Sequence, residues 1–393
     1  MATSIIAPSG RPRRYDLDWL RVIALVLLIV YHVLCVFDSG GWVLKSDHAG
    51  VWADGVVDLL TPWRMMLVFV VGGAACRFLF EKFDLAGFTL NRTLRLLVPF
   101  VLGVALLTPP QAYIHLLAQN QYEGSFLHFW ATGFWTSREV HGIQFPDFAH
   151  LWFLPYLFIY AIGAAIAWTL MPRFCEGLVA RFDRLPLALT VLGVMAWLLL
   201  IEVEVDPRSH RTMAFFWDWN GHMRFGPAFL LGLLAAHADQ FWRRLVAARW
   251  MLWSGAVALA ALTIAEWAVT QDAADSPALR AIYGATALFA FLALGAALLN
   301  KPSPVLTYWN DAVLPIYVLH QTVLVIFVAA TGATHWPVII AFLVLLAATL
   351  GVSEGIYHWG IRRNRWLRMA FGQSPAPRPC SPAPQAPPLS GAV

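Results

Sequence analysis

Apolar residues run through this chain in blocks of spanning length, near residues 19–37, 57–79, 93–111, 150–170, 186–203, 223–238, 250–268, 280–299, 310–329 and 337–358. An α-helix rises about 1.5 Å per residue, so about 20 apolar residues cross a hydrocarbon core of ~30 Å. The pattern predicts an all-α fold, a polytopic integral membrane helix bundle with about ten transmembrane helices. An even number of crossings leaves both termini on one side of the bilayer.

The polar positions between the blocks give that bundle a direction. With the N-terminus cytoplasmic, one set of alternate segments holds Arg11, Arg13 and Arg14, then Arg77, Lys82, Arg92 and Arg95, then Arg173, Arg181 and Arg184. The same side continues with Arg243, Arg244 and Arg249, then Lys301, then Arg362, Arg363, Arg365 and Arg368. The opposite loops hold only Lys45, Arg138, Arg208, Arg211 and Arg280. Cytoplasmic loops carry the excess of Lys and Arg, so both termini are read as cytoplasmic. A missed span would reverse the bias downstream of it, and no reversal occurs.

Three parts follow: a cytoplasmic N-terminal segment over 1–14, a transmembrane domain over 15–371, and a tail over 372–393 too rich in proline for helix, read as disordered. The first span carries Arg21 and no clear small-residue cleavage site after it, so it is expected to remain as an anchor. The outer segment 112–149, rich in aromatics and broken by Gly124, Gly133, Gly142 and Pro146, is expected to hold short interfacial helices or a partly re-entrant stretch. A second outer segment, 204–222, brings Glu204, Asp206, His210, Asp218 and His222 to the same side, as a roof over an outward-facing cavity.

Composition agrees with the pattern. Of 393 residues, 59% are hydrophobic and only 13% charged, which excludes an ordinary soluble domain. The formal charge of +4 comes from short clusters at the ends of apolar runs, so it marks topology and no nucleic-acid face. Cys35, Cys76, Cys175 and Cys380 share no metal-ligand spacing, and the histidines form no helical ligand pair beside a carboxylate, so no metal site is expected.

Ionisable residues inside spans are expensive and point to function. Arg21 and His32 lie on one face of the first helix, roughly 16 Å apart along its axis. His32, in the outer half, is placed to take a proton from a hydroxyl; the plain alternative is a hydrogen bond to a neighbouring helix. Arg92 and Arg95 stand three residues apart at the inner start of the third block, where a helix N-terminus would add to an anion site for phosphates. Ordinary positive-inside anchoring fits the same spacing.

Asp58 can orient His32, or sit as a helix-end acid in water. Arg64, deeper in that span, needs either a carboxylate such as Asp58 or a bound anion. His320 and Glu354 can line one passage, or meet as a buried pair. His150 and Trp152 can shape an acceptor mouth, or seat the fourth helix in the aromatic belt. The outward tryptophans Trp42, Trp52, Trp63, Trp130, Trp135, Trp217 and Trp219 suit sugar stacking, although an interfacial belt explains most of them.

Together these residues resemble the acyltransferase family 3 membrane proteins: Arg21 with His32, the RTLR of 92–95, the HLWFLPYLF of 150–158 and the YVLHQ of 317–321. Order and spacing match from about Tyr15 to Gly372. The segments DLDWLR (16–21), PWRMMLVFVVGG (62–73) and LPIYVLH (314–320) are similar to the glucans biosynthesis protein C branch, whose members add succinyl groups to periplasmic glucans. The resemblance implies that 15–371 is an acyltransferase domain of a bacterial inner membrane. It implies a cytoplasmic acyl-CoA donor, no permanently bound cofactor, and a glycan or glycolipid acceptor outside. His32 would be the catalytic group with Arg21 beneath it, and Arg92 and Arg95 would mark the CoA mouth. His32 would then either deprotonate the acceptor hydroxyl or carry the acyl group transiently. The rival reading is a proton-coupled secondary transporter of a small anionic or sugar substrate, against which stand the absence of repeat symmetry and of paired Gly/Pro-broken spans.

Overall fold

The computed structural model describes residues 13–136, 139–140, 143–207, 217–270 and 276–376. Arg11, Arg138, Gly142, Arg208, His210, Arg211, Cys380 and the tail beyond 376 lie outside the described residues. The long elements are α1 (Tyr15–Leu34), α2 (Val51–Phe80), α3 (Leu85–Ala118) and α4 (Ala149–Leu170). A short α5 (Pro172–Arg184) leads to α6 (Leu187–Val205), then α7 (Trp219–Ala235) and a short α8 (Asp239–Ala247). The chain ends with α9 (Arg249–Thr270), α10 (Pro277–Leu298), α11 (Pro304–Thr331), α12 (Val338–Arg363) and a final turn, α13 (Arg365–Ala370). The only strands among the described residues are Glu139–Val140 and Ile143–Gln144, paired antiparallel in the long outer loop.

Among the described residues nine helices are long and apolar enough to cross a membrane. The tenth expected span is α7, whose 17 residues sit at the short limit of the spanning range. Its crossing follows from its packing. Phe69 stacks on Phe225 with ring centroids 4.8 Å apart, and further along, Glu81 meets His237 at 3.1 Å, so α7 runs parallel to α2 from the outer end to the inner. Glycines permit the close approach: a Cβ on Gly232 would stand 1.8 Å from the Val70 carbonyl oxygen, and one on Gly73 2.0 Å from that of Phe229. The protein is therefore a multi-pass integral membrane bundle, with the arginine-rich end here called inner.

A second parallel pair sets the site. Arg21 bonds Asn310 and His32 bonds His320, partners 289 and 288 residues apart, so α1 and α11 lie side by side in register. The register continues beyond both helices, where Ser46 Oγ donates to the Thr334 carbonyl at 3.0 Å and His335 meets Asp47 at 2.5 Å. Gly332, at φ 62°, supplies the left-handed residue that ends α11.

Two local departures from the expected pattern bear on function. Helix α3 begins at Leu85, not near 93: Asp84 caps it by accepting from the Gly87 N–H at 2.8 Å. Within it, Thr93–Leu97 forms a wide π turn, closed by the Val98 N–H on the Thr93 carbonyl. At the inner end, residues 372–376 of the expected tail pack onto the bundle. Gly372 adopts φ 70°, Gln373 donates to the Asp311 carbonyl, and Arg368 donates to the carbonyls of Ser374 at 2.7 Å and Ala376 at 3.3 Å. In the outer loop, Phe129, Phe134 and Phe145 are buried together, next to one short helical turn, Phe126–His128.

Candidate active site

Three histidines from three helices meet in the outer half of the bundle. His32 comes from the last turn of α1, His150 from the first turn of α4 and His320 from the middle of α11. Ring centroids are 5.0 Å apart for His32–His320, 4.9 Å for His150–His320 and 6.4 Å for His32–His150. His150 and His320 are buried, whereas His32 keeps part of its surface open. The start of α4 is tied down from two sides. Tyr317 donates its hydroxyl to the His150 carbonyl, and Thr108 donates to the Asp147 carbonyl at 2.7 Å.

Hydrogen bonding fixes which nitrogen does what. A backbone carbonyl can only accept, so His320 Nδ1, 2.6 Å from the Tyr317 carbonyl oxygen, carries a proton. In a neutral ring its Nε2 then presents a lone pair, and His32 Nδ1 at 2.9 Å must be the donor. The same logic leaves His32 Nε2 as a lone pair, a base aimed away from the pair. This tautomer is assigned from the network of partners. The 2.9 Å separation is a hydrogen-bond length. His150 Nε2 faces the Val318 carbonyl at 3.2 Å, which makes it a donor; its Nδ1 is buried with no hydrogen-bond partner among the described residues.

Arg64 brings a cation to this cluster. Its guanidinium lies 3.5 Å from the centroid of the Tyr31 ring and is close enough to act electrostatically on both His32 and His320. Tyr31, adjacent to His32 in α1, thus holds the charge beside the base through a cation–π contact. Such a charge favours an oxyanion that develops nearby.

The other expected residues divide between the two ends. Arg21 donates to Asn310 at 3.2 Å near the inner end of the α1–α11 seam. Arg92 and Arg21 are within electrostatic range of one another. The helix N-terminus expected beside Arg92 lies instead at Leu85, two turns away, because Asp84 caps the chain there and the mixed stretch 85–92 is helical before the long apolar block begins. The π turn also separates the pair's directions. Arg92 packs over Phe88 and bonds Asn91 at 2.7 Å, while Arg95 donates to the Gly372 carbonyl at 3.2 Å.

Four expectations for the outer half change. The partner on His32 Nδ1 is His320, so the orienting place foreseen for Asp58 is taken by a histidine. His150 is not at an exposed mouth but is buried at the centre of the cluster. Trp152 packs among Phe69, Tyr156 and Phe225 as part of the aromatic core. His320 and Glu354 do not meet: Glu354 accepts from Tyr308 and lies 3.8 Å from His358 at the inner end. Tyr31, Asn310 and Tyr317 were not foreseen, although Tyr317 and His320 at i and i+3 share a helical face and so offered a signal.

The chain is similar to known proteins over most of its length. The chain is 26% identical over 361 residues to "Glucans biosynthesis protein C" of Salmonella gallinarum (strain 287/91 / NCTC 13346), covering 89% of this chain and 92% of that protein. It is 25% identical over 377 residues to the protein of the same name from Salmonella typhimurium (strain LT2), covering 93% and 97%. No solved structure matches. The family model described as "Acyltransferase domain" matches residues 14–358, from before α1 to the inner turns of α12, and the chain belongs to that family of membrane acyltransferases.

Proposed function

We propose that the protein transfers an acyl group of the acetyl or succinyl class from cytoplasmic acyl-CoA to a hydroxyl of a carbohydrate or glycolipid outside the bacterial inner membrane. The observation that carries this reading is the chain from the Tyr317 carbonyl through His320 to His32, which leaves the second nitrogen of the partly exposed His32 ring as a base. The acceptor hydroxyl gives its proton to His32 Nε2 as its oxygen bonds to the thioester carbonyl carbon. The resulting oxyanion faces the Arg64 guanidinium. Collapse breaks the carbon–sulfur bond, and the departing CoA thiolate recovers the proton from the His32 imidazolium. His320 acts as a positioning residue: it accepts the His32 Nδ1–H and so holds the productive tautomer, in the role a carboxylate plays for a catalytic histidine elsewhere.

A glucan acceptor is supported by the name of the relatives. The donor approaches along the α1–α11 seam, where Arg21 and Asn310 lie roughly 16 Å below His32. For a proton-coupled transporter the histidine chain is poorly suited, since it ends on a backbone carbonyl that has no proton to pass on. The test is sided acyl transfer in proteoliposomes, with labelled acetyl-CoA or succinyl-CoA at the inner face and an oligosaccharide at the other. Acceptor-dependent release of CoA thiol with label in an acceptor ester is expected. Absence of thiol release with every donor would overturn the proposal.

A further inference from the structure

The end of the last span contains a feature that the acyl-transfer chemistry does not use. Where α12 passes into α13, His358, Arg362, Arg363, Arg365, Arg368 and Pro375 surround a cavity of about 480 Å³ at the inner end, within the size range of small-molecule sites. Arg368 is buried and forms the wall: it pairs with Asp311 at 3.0 Å and holds the carbonyls of Ser374 and Ala376. Arg362 stands over the Tyr308 ring at 5.3 Å. Arg363 and Arg365 are exposed, and neither forms an ion pair among the described residues. Of the acids nearby, Asp311 is held by Arg368, and Glu354 is engaged by Tyr308 and lies beside His358.

Three guanidiniums therefore face one concavity without carboxylates to neutralise them. Positive-inside bias explains how many arginines lie at this end, but not their convergence on a walled space. Planar guanidiniums bind phosphate oxygens in bidentate fashion, which makes a polyphosphate or phosphodiester the fitting ligand. The position suits a donor: Asp311, which fixes Arg368, directly follows Asn310, which bonds Arg21 at the inner end of the seam to His32. Arg92 is less available, since it is buried over Phe88.

We infer that this arginine-lined cavity binds a phosphate-bearing ligand, the nucleotide phosphates of a CoA thioester or the headgroup of an anionic lipid. The nucleotide source rests on the acyl-CoA reading above, and the test separates the two. Full-length protein in phosphatidylcholine nanodiscs, with and without phosphatidylglycerol, is titrated with CoA. Wild type is compared with Arg363→Gln/Arg365→Gln and with Arg181→Gln/Arg184→Gln, a charge-matched control on α5. The expected result is CoA binding about tenfold weaker in the first variant and within about twofold of wild type in the control. Should wild type bind no CoA but prefer phosphatidylglycerol, with the preference lost in the first variant, the phosphate site stands with a lipid ligand and the acyl-CoA donor fails. CoA and phosphatidylglycerol binding unchanged in the first variant, or weakened equally in both variants, would overturn the site and leave the donor reading intact.

Discussion

The two ends of the α1–α11 seam are built from opposite materials. At its outer end, His32, His320 and His150 are ordered by hydrogen bonds to one another and to the carbonyls of Tyr317 and Val318, with one guanidinium, Arg64, close by. At its inner end, arginines from α1, α3 and α12–α13 collect around Asn310, Asp311 and the strap of Gly372–Ala376. A neutral imidazole is what proton abstraction needs, and fixed guanidiniums are what a phosphate needs. If the proposed reaction holds, reactivity and donor binding are kept about three helical turns apart on the same two helices, so substitutions at the ends should separate in their kinetics.

The largest effect of this set belongs to the outer end. His320→Phe keeps a ring in place but removes the acceptor that fixes the His32 tautomer, and turnover should fall roughly 10–100-fold, the range found for partners that orient a metal-bound histidine. The pH–rate profile should move with it; a loss of turnover with an unchanged profile would reduce His320 to a packing role. A smaller effect is expected at the inner end. Asn310→Ala removes one charge-assisted hydrogen bond from Arg21, so the donor KM should rise by about fivefold while kcat stays within about twofold. A drop in kcat with constant KM would erase the distinction between the ends.

The smallest effect concerns stability. Asp147 lies in the outer loop just before α4, and burial holds its carboxyl above the usual carboxylate range, opposed by the Ala149 N–H at 2.8 Å and by His115. A raised folded-state value means that folding favours the protonated form. Its contribution is therefore fully present below the unfolded-state value and is lost as pH rises through the folded one. Asp147→Asn should flatten the pH dependence of Tm across that window, measured by tryptophan fluorescence in detergent. A steeper dependence in the variant would contradict the sign.

The spans, and the gathering of arginines at one end of the bundle, were legible because lipid leaves so few options: backbone polar groups must be satisfied within helices, and cations collect on one side. Helix α3 was misplaced at its start because a search for long apolar blocks does not register the mixed turns 85–92, even though Asp84 and Gly87 form a cap. His32 and His320 were each visible as costly residues within spans. Their pairing was not, because it depends on two helices 288 residues apart running in register, a property of packing. Asp58 came into consideration as a partner for His32 because a carboxylate commonly orients a working histidine, alongside the plainer reading of a helix-end acid. Glu354 fell to the inner end through depth alone: it lies far along the inward-running α12, whereas His320 is well up the outward-running α11. The π turn that separates Arg92 from Arg95 has no signature in a single sequence.

The central claim is that His32 supplies the base while the donor is held elsewhere. Single-turnover acyl transfer by His32→Ala, with bound CoA thioester quantified in the same sample, tests it most directly. The account predicts donor binding within about twofold of wild type and a transfer rate lower by about 10²–10⁴, the usual contribution of a general base. Transfer at the wild-type rate, or loss of donor binding along with transfer, would contradict it.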